Sequence, residues 1–104
     1  MTDKILVLSN CGSEEEAAKI AREVVGAHLA ACVNILPGVR SIYRWKGAIE
    51  EASEWTLLIK TRRDRFDGVA QVIRKLHSYD LPEVIAVPVV DGLAEYLAWI
   101  DESI

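Results

Sequence analysis

The sequence predicts an α+β domain whose strands and helices follow one another in the order βαββαβ, with a further helix at the C-terminus. Three observations lead to this prediction. Short runs of strand length are separated by two stretches whose apolar residues recur every three or four positions. A long run dense in β-branched and aromatic residues lies mid-chain. The length of 104 residues suits one domain, residues 1–104, without a second core.

A strand and a helix are predicted in the first third of the chain. Residues 5–8 form a continuous apolar run with branched side chains, which is typical of a buried strand. Ser13 and Glu16 have the spacing of a capping box, so we expect a helix to begin there and to end near Leu29. The apolar face of this helix comprises Ala17, Ile20, Ala21 and Val24.

A long β-hairpin is predicted at about residues 31–61. Residues 31–36 alternate as a strand, which resumes from 39 to 45. Between them, Pro37-Gly38 predicts a bend or bulge, because proline cannot donate to the strand ladder. The return strand is expected over residues 49–61.

The register of this hairpin can be predicted from its charges. Centring the turn on Gly47 places Arg44 opposite Glu50 and Arg40 opposite Glu54. Opposite charges across a strand pair stabilise it by roughly 0.2–1 kcal/mol each. Shifting the register by one residue loses both pairs, so we expect the register centred on Gly47.

The last part of the chain supplies a helix at about 64–76, a strand at 84–90 and a short helix at 93–100. Pro88 indicates an edge position or bulge in the strand. The complete order is that of the split-βαβ, ferredoxin-like sandwich, in which two helices cover one face of an antiparallel sheet.

The hairpin is longer than this sandwich requires. A two-stranded extension is marginally stable by itself in water. Tyr43, Trp45 and Trp55 would give a monomer a sizeable exposed apolar surface, and pairing with other copies would cover it. The hairpin therefore predicts self-association through these three residues.

Composition argues against several classes of partner. The net charge of −4 disfavours nucleic acid, because binding needs cations that neutralise phosphates. No apolar run approaches the length of a membrane span, so no membrane partner is expected. The N-terminus lacks the features of a signal peptide, which predicts a cytoplasmic protein with Cys11 and Cys32 as reduced thiols.

Three functions known for this fold class fit the residues poorly. The loop after the first strand has one cysteine, not the Cys-x-x-Cys of a metallochaperone. The central strands lack the aromatic pattern of an RNA-recognition domain. The loop also lacks the arginine with which an acylphosphatase-like enzyme would hold phosphate. We expect no enzyme.

The remaining chemistry is that of soft metal ligands. Cys11 ends the first strand and His77 ends the second helix, and copper(II) or zinc favours thiolate and imidazole with carboxylates completing the shell. A structural thiol at Cys11 and a helix-end role for His77 stay open as alternatives. Cys32 is expected to be a buried structural thiol, and His28 a surface or capping residue.

The sequence resembles the CutA divalent-cation tolerance family over nearly its whole length. The matching segments are Leu29-Ala30-Ala31-Cys32-Val33-Asn34-Ile35, Pro37-Gly38, Ser41-Ile42-Tyr43-Arg44-Trp45-Lys46-Gly47, Ile49-Glu50, Glu54, Ile59-Lys60-Thr61, His77 with Tyr79, Pro82-Glu83, Pro88, Gly92, Tyr96-Leu97 and Trp99-Ile100. Each motif is weak alone, and their order and spacing together are specific.

The resemblance implies a ferredoxin-like homotrimer held by long hairpins, with a shape like that of the PII signalling proteins. It also implies divalent-cation tolerance and a link to copper(II) or another divalent metal, without a known reaction. A PII-like trimer that binds a nucleotide or small metabolite in clefts between subunits is the alternative.

Some positions depart from the family pattern. Ser78 stands where the family usually has proline, Ser9 where some bacterial members have cysteine, and Leu76 where they have a second histidine. The resemblance therefore carries over His77, with Cys11 as a displaced candidate for the missing thiol.

Three further residues match the family's inter-subunit cleft: Lys60, Tyr79 and Glu83. A lysine beside a carboxylate in a cleft could bind a small anion. The alternative is a structural ion pair at the interface.

Overall fold

Four strands form one antiparallel sheet in the computed structural model, which describes residues 1–104. The elements are β1 Lys4–Cys11, α1 Glu14–Gly26, β2 Cys32–Trp45, β3 Ala48–Arg62, α2 Phe66–Leu76, β4 Ile85–Pro88 and α3 Ala94–Glu102. The strand order is β2-β3-β1-β4, and every neighbouring pair is antiparallel. The predicted ferredoxin-like βαββαβ sandwich with a C-terminal helix is confirmed.

Helices α1 and α2 bury their apolar faces against one side of the sheet. The core combines Ile20 and Val24 of α1 with Val69 and Ile73 of α2 and with β-strand residues such as Ile59. Because α3 adds only Ile100 to the buried residues, the opposite sheet face keeps partly exposed side chains. None of the helices is both long and apolar enough to cross a membrane.

Helix α1 begins as predicted and ends earlier. The Ser13 hydroxyl accepts the Glu16 backbone N–H at 3.2 Å. The Glu16 carboxylate does not complete the predicted capping box, because its Oε1 accepts the backbone N–H of Ser78 instead. The helix stops at Gly26, three residues before the expected end, and His28 adopts a left-handed φ of 59°. Glycine has low helix propensity, and the backbone N–H groups of Leu29 and Ala30 fold back onto the carbonyl of Val24.

The hairpin of β2 and β3 extends past the end of β1. The last β1 pair joins Cys11 to Trp55, so the part of the hairpin closer to its tip has no other strand beside it. A register shift lies between Leu36 and Val39, where the ladder gains one extra residue on β2. This is the predicted bulge, and Gly38 in it has a φ of 72°.

The predicted hairpin register is wrong by one residue. The turn has two central residues, Lys46 and Gly47, with φ of 51° and 81°, so Trp45 pairs with Ala48. Glu54 consequently lies opposite Val39, Glu50 opposite Tyr43, and Arg44 opposite Ile49. Arg40 forms an exposed ion pair with Glu51 at 2.8 Å instead of the predicted pair with Glu54.

Two further boundaries differ from the predictions. A 3₁₀ turn over Arg63–Arg65 precedes α2, which begins at Phe66 rather than Asp64. Strand β4 covers only Ile85–Pro88, because it pairs with β1 over four positions.

Candidate metal site and adjoining cleft

The fold brings Cys11, Glu16 and His77 together. Cys11 is the last residue of β1, Glu16 lies in the first turn of α1, and His77 directly follows α2. Their donor atoms, a sulfur, a carboxylate oxygen and an imidazole nitrogen, all lie within 4.8 Å of one another. The two predicted ligands are thus neighbours, and a carboxylate joins them.

Hydrogen bonds fix the orientation and tautomer of the buried His77 ring. The backbone N–H of Tyr79 donates to Nδ1 at 3.0 Å, so Nδ1 carries the lone pair. Nε2 lies 2.6 Å from the carbonyl oxygen of Asn10 and donates its proton to it. Metal-binding histidines commonly show this arrangement, with one ring N–H donated to a backbone carbonyl.

The carboxylate of Glu16 faces Nδ1 of His77. Its Oε1 accepts the backbone N–H of Ser78 at 2.9 Å, while Oε2 is buried without a hydrogen-bond partner. Oε2 lies 3.6 Å from Nδ1 of His77. Two electron-rich atoms therefore face each other across a gap, which is unfavourable unless a cation or proton lies between them.

Cys11 adds a fully buried thiol. Burial raises its pKa to about 12, and the carboxylates of Glu16 and Glu54 contribute to the shift. The thiol therefore holds its proton at neutral pH, and a metal ion would displace that proton on binding.

The donor set fits a divalent metal of intermediate softness. Metal–ligand bonds of about 2.0–2.3 Å place neighbouring donors of a tetrahedral site roughly 3.3–3.8 Å apart. The separation between Glu16 and His77 already falls in this range. Thiolate, imidazole and carboxylate together suit zinc or copper(II) better than magnesium or calcium.

Sequence reasoning missed Glu16 as a candidate ligand. Three glutamates follow Ser13, and acidic residues are common at helix N-termini, so nothing singled out this one. Only the packing of α1 against the end of α2 shows that Glu16 reaches the loop after His77.

The other soft-ligand residues lie elsewhere. Cys32 is a free thiol like Cys11, but it is half-buried rather than buried as expected, because it lies on the edge strand β2. His28 is exposed in the turn after α1, in agreement with the surface role expected for it.

A cavity of about 540 Å³ lies beside this cluster, between the hairpin and the loop after α2. Its lining includes Tyr43, Trp45, Glu54, Tyr79 and Glu83. Two of the three predicted cleft residues, Tyr79 and Glu83, are therefore brought together. The lining supplied by this chain contains two carboxylates and no lysine or arginine, which is unsuited to a phosphate or other small anion.

Lys60 does not line this cavity. It lies on β3 next to α3, with its Nζ 5.8 Å from the centre of the Tyr96 ring. The predicted grouping of Lys60 with Tyr79 and Glu83 is therefore absent within one chain.

Trp55 is separated from the other two hairpin aromatics. It packs against the chain's own core beneath α1, whereas Tyr43 and Trp45 are exposed near the hairpin tip. Alternate strand residues face opposite sides of a sheet, and Trp55 lies opposite the buried Cys11.

Tyr79 forms the wall between the buried cluster and the cavity. Its ring lies 4.6 Å from that of His77, and its hydroxyl donates to Oε2 of Glu54 at 2.8 Å. Burial, with a further contribution from this hydrogen bond, raises the pKa of Tyr79 to about 12. Gly12 leaves room for it, since a Cβ there would lie 3.0 Å from the Tyr79 hydroxyl.

A family model and individual proteins of known sequence match this chain over most of its length. The family model described as CutA1 divalent ion tolerance protein matches residues 5–103. The divalent-cation tolerance protein CutA of Thermus thermophilus is 45% identical over 98 residues, which cover 94% of this chain and 95% of that protein. Protein CutA of Mus musculus is 46% identical over 92 residues, 88% of this chain, and the match spans 52% of the mouse protein.

Solved structures agree with the sequence comparisons. CutA of Xylella fastidiosa superposes with a TM-score of 0.95 at 45% identity and covers 98% of both chains. The protein described as the periplasmic divalent cation tolerance protein CutA of Archaeoglobus fulgidus gives a TM-score of 0.93 at 40% identity, over 96% of this chain and 97% of that one. This chain belongs to the CutA divalent-cation tolerance family.

Proposed function

We propose that this protein acts in divalent-cation tolerance as a homotrimer that binds copper(II) or another divalent metal through Cys11, Glu16 and His77. The observation that carries the metal proposal is the gap between Glu16 Oε2 and His77 Nδ1, 3.6 Å wide and bordered by the Cys11 thiol. A metal ion in this gap would coordinate the unpaired Oε2 of Glu16. It would also displace the proton of the buried Cys11 thiol and bind the resulting thiolate.

The trimer proposal is supported by uncovered apolar surface. Ile42, Tyr43, Trp45 and Ile49 are exposed on the part of the hairpin that no other strand accompanies. The sheet face opposite α1 and α2 is also partly uncovered, with Ile85 and Val87 exposed on β4. An apolar surface of this kind in a short chain favours association with further copies.

We favour binding over catalysis. The thiol of Cys11 is the strongest candidate nucleophile near the cleft, and a thiol with a pKa of about 12 has almost no thiolate at neutral pH. Its carboxylate and imidazole neighbours resemble a ligand set, and the relatives are named as tolerance proteins rather than as enzymes.

We propose the cytoplasm as the working compartment, because a metal site that depends on Cys11 needs a reduced thiol. The Archaeoglobus relative is described as periplasmic, so relatives need not share this compartment. Fractionation of the source cells, followed by detection of the protein, tests the proposal. Recovery in a compartment outside the cytoplasm would contradict it.

The metal proposal can be tested by titration of the chelator-stripped, reduced protein. Cobalt(II) is a useful spectroscopic substitute, because a thiolate ligand gives a charge-transfer band that water, carboxylate and imidazole ligands do not. We expect one cobalt(II) per chain with this band, and displacement by zinc. Copper(II) binding is then measured under anaerobic conditions, to limit oxidation of the thiol.

The chain offers matched controls for two of the three proposed ligands, Cys11 and His77. Cys11→Ser should abolish the thiolate band and His77→Ala should weaken binding at least about tenfold, as loss of a ligand or its support does. Cys32→Ser and His28→Ala change the other cysteine and the other histidine and should leave binding unchanged. An equal loss of metal affinity in the control variants would contradict the proposed site.

A further inference from the structure

The loop after α2, residues 78–84, is held in place by hydrogen bonds that involve side chains. Within the chain, no backbone-to-backbone hydrogen bond includes any of these residues. Four hydrogen bonds with at least one side-chain partner hold the loop instead. Two of the four, at the start of the loop, end on the proposed metal ligands Glu16 and His77. Backbone that is bonded so sparsely rearranges more readily than the helices and strands around it.

Consecutive backbone N–H groups of the loop donate to these two ligands. The N–H of Ser78 donates to Oε1 of Glu16 at 2.9 Å, and the N–H of Tyr79 donates to Nδ1 of His77 at 3.0 Å. The two acceptors differ in capacity, because a carboxylate has about four lone-pair sites whereas Nδ1 of a neutral imidazole has a single lone pair. Donors and acceptors belong to the same chain, so these contacts do not depend on association with other copies.

Glu16 can take part in metal binding and keep its hydrogen bond. Its Oε1 serves Ser78, while its buried Oε2 has no partner and faces Nδ1 of His77 at 3.6 Å. His77 cannot do both, because coordination through Nδ1 uses the lone pair that accepts the Tyr79 N–H. Nε2 offers no substitute, since it donates to the carbonyl oxygen of Asn10 at 2.6 Å. Metal loading therefore removes one of the two adjacent hydrogen bonds and spares the other.

We propose that the loop after α2 responds to metal occupancy, an inference that rests on the proposed metal site. Coordination at Nδ1 of His77 frees the backbone N–H of Tyr79, and the start of the loop shifts until this N–H reaches water or another acceptor. The loop yields rather than the His77 ring, because that ring is buried and held at Nε2. The hydrogen bonds of the Tyr79 hydroxyl with Glu54 and of Glu83 with Asn10 keep the loop attached, so the response is a local shift.

Nuclear magnetic resonance of the reduced, chelator-stripped, ¹⁵N-labelled assembly tests this proposal before and after addition of zinc. The ¹⁵N shift of His77 Nδ1 reports metal coordination, and the solvent exchange of single backbone amides reports the loop. We expect the Tyr79 amide to exchange roughly tenfold faster with zinc, as loss of one hydrogen bond predicts. The Ser78 amide is the internal control, and its exchange rate should stay the same.

Two histidine variants provide a second comparison. His77→Ala removes the acceptor of the Tyr79 N–H, so the Tyr79 amide should exchange rapidly both with and without zinc. His28→Ala changes the other histidine, which is exposed in the turn after α1. This control should retain the slow Tyr79 exchange of the metal-free protein and its acceleration by zinc.

The outcomes separate this inference from the metal proposal. Unchanged Tyr79 exchange together with a zinc-shifted Nδ1 resonance would overturn the loop response and leave the metal site intact. An Nδ1 resonance that zinc does not shift would exclude His77 as a ligand through this nitrogen, and the loop response with it. Equal acceleration at Ser78 and Tyr79 would contradict the selective release of one N–H. Slow Tyr79 exchange in His77→Ala would show that another acceptor holds this amide.

Discussion

Tyr79 donates its backbone N–H to Nδ1 of His77 over 3.0 Å, and this is the nitrogen that faces the orphaned oxygen of Glu16. A metal ion that takes the Nδ1 lone pair must displace this hydrogen bond. The hydroxyl of the same tyrosine holds Glu54 at the cavity. One residue thus contacts both sites, which makes Tyr79 the structural connection between metal binding and cleft geometry.

Metal affinity should rise with pH. Because burial raises the pKa of Cys11 to about 12, the free protein holds the thiol proton throughout the neutral range and binding releases it. The apparent affinity should therefore increase by about tenfold per pH unit between pH 6 and 8. Titrations in two buffers of different ionisation enthalpy count the released proton. Cys11→Ser should remove this part of the pH dependence, and an unchanged slope would exclude the thiol as a ligand.

The buried thiol also predicts a loss of stability in mild alkali. The unfolded chain releases the Cys11 proton near a pKa of about 8.5, whereas the folded chain retains it up to about 12. Above pH 8.5 the native state therefore binds more protons than the unfolded state, and the free energy of unfolding falls as pH rises. The contribution is at most roughly 1.4 kcal/mol per pH unit.

This alkaline effect can be separated from that of Tyr79. The pKa of Tyr79 is raised from 10.0, so its contribution to the loss of stability begins roughly 1.5 pH units above that of Cys11. Denaturant unfolding of the reduced, metal-free protein between pH 8.5 and 10 should show a shallower pH dependence in Cys11→Ser than in the unmodified chain. Identical slopes at fixed protein concentration would contradict the assignment.

The sequence predicts element order well because that information is local. The helix cap by the Ser13 hydroxyl, the bulge at Pro37-Gly38 and the helical spacing of α2 all depend on residues close in the chain. The predicted hairpin register is wrong because the backbone geometry of the two-residue Lys46-Gly47 turn, rather than the cross-strand charges, determines the pairing.

The candidate site was predicted only in part for a related reason. Cys11 and His77 stood at the ends of elements, where functional side chains often meet, and family resemblance supported His77. Glu16 and Glu54 become visible only through packing between distant segments, because the capping role of one and the strand position of the other are ordinary. The placement of Lys60 in a cleft between subunits stays a prediction, because within one chain Lys60 lies beside Tyr96 of α3 and apart from the cavity that Tyr79 and Glu83 line.

Two glycine substitutions should have opposite effects on stability. Gly12→Ala would place a methyl group 3.0 Å from the Tyr79 hydroxyl, which its bond to Glu54 keeps from moving freely, so we expect destabilisation of about 1 kcal/mol. Gly26→Ala meets no atom within 4 Å in the last turn of α1 and should stabilise by roughly 0.5–1 kcal/mol. Denaturant unfolding of both variants measures the difference, and a stabilising Gly12→Ala would show that Tyr79 moves freely.

The hairpin surface should determine the oligomeric state. Light scattering should give a mass close to three times the chain mass of 11.6 kDa. Ile42→Asp places a charge on a side chain that is 64% exposed in the single chain, so it should lower the mass without unfolding the subunit. Val25→Asp, at a 41% exposed position on α1, is the control and should leave the mass unchanged. A stable monomer of the unmodified chain would contradict the trimer proposal.

Tyr79→Phe should separate the two functions of this residue. The variant keeps the backbone N–H that donates to His77 and loses the hydroxyl that donates to Glu54. The buried carboxylate is then left without its side-chain donor, so the free energy of unfolding should fall by about 1–3 kcal/mol. Metal affinity should change little, because the ligands and the His77 tautomer are retained.

Tyr43→Phe is the matched control, because Tyr43 lines the same cavity and its hydroxyl takes part in none of the chain's side-chain hydrogen bonds. Its stability should stay within about 0.5 kcal/mol of the unmodified chain, because loss of this hydroxyl leaves no donor or acceptor of the chain unpaired. Denaturant unfolding and cobalt(II) titration of the two variants provide the comparison. Loss of metal affinity in Tyr79→Phe at unchanged stability would show that the hydroxyl supports the metal cluster instead of Glu54.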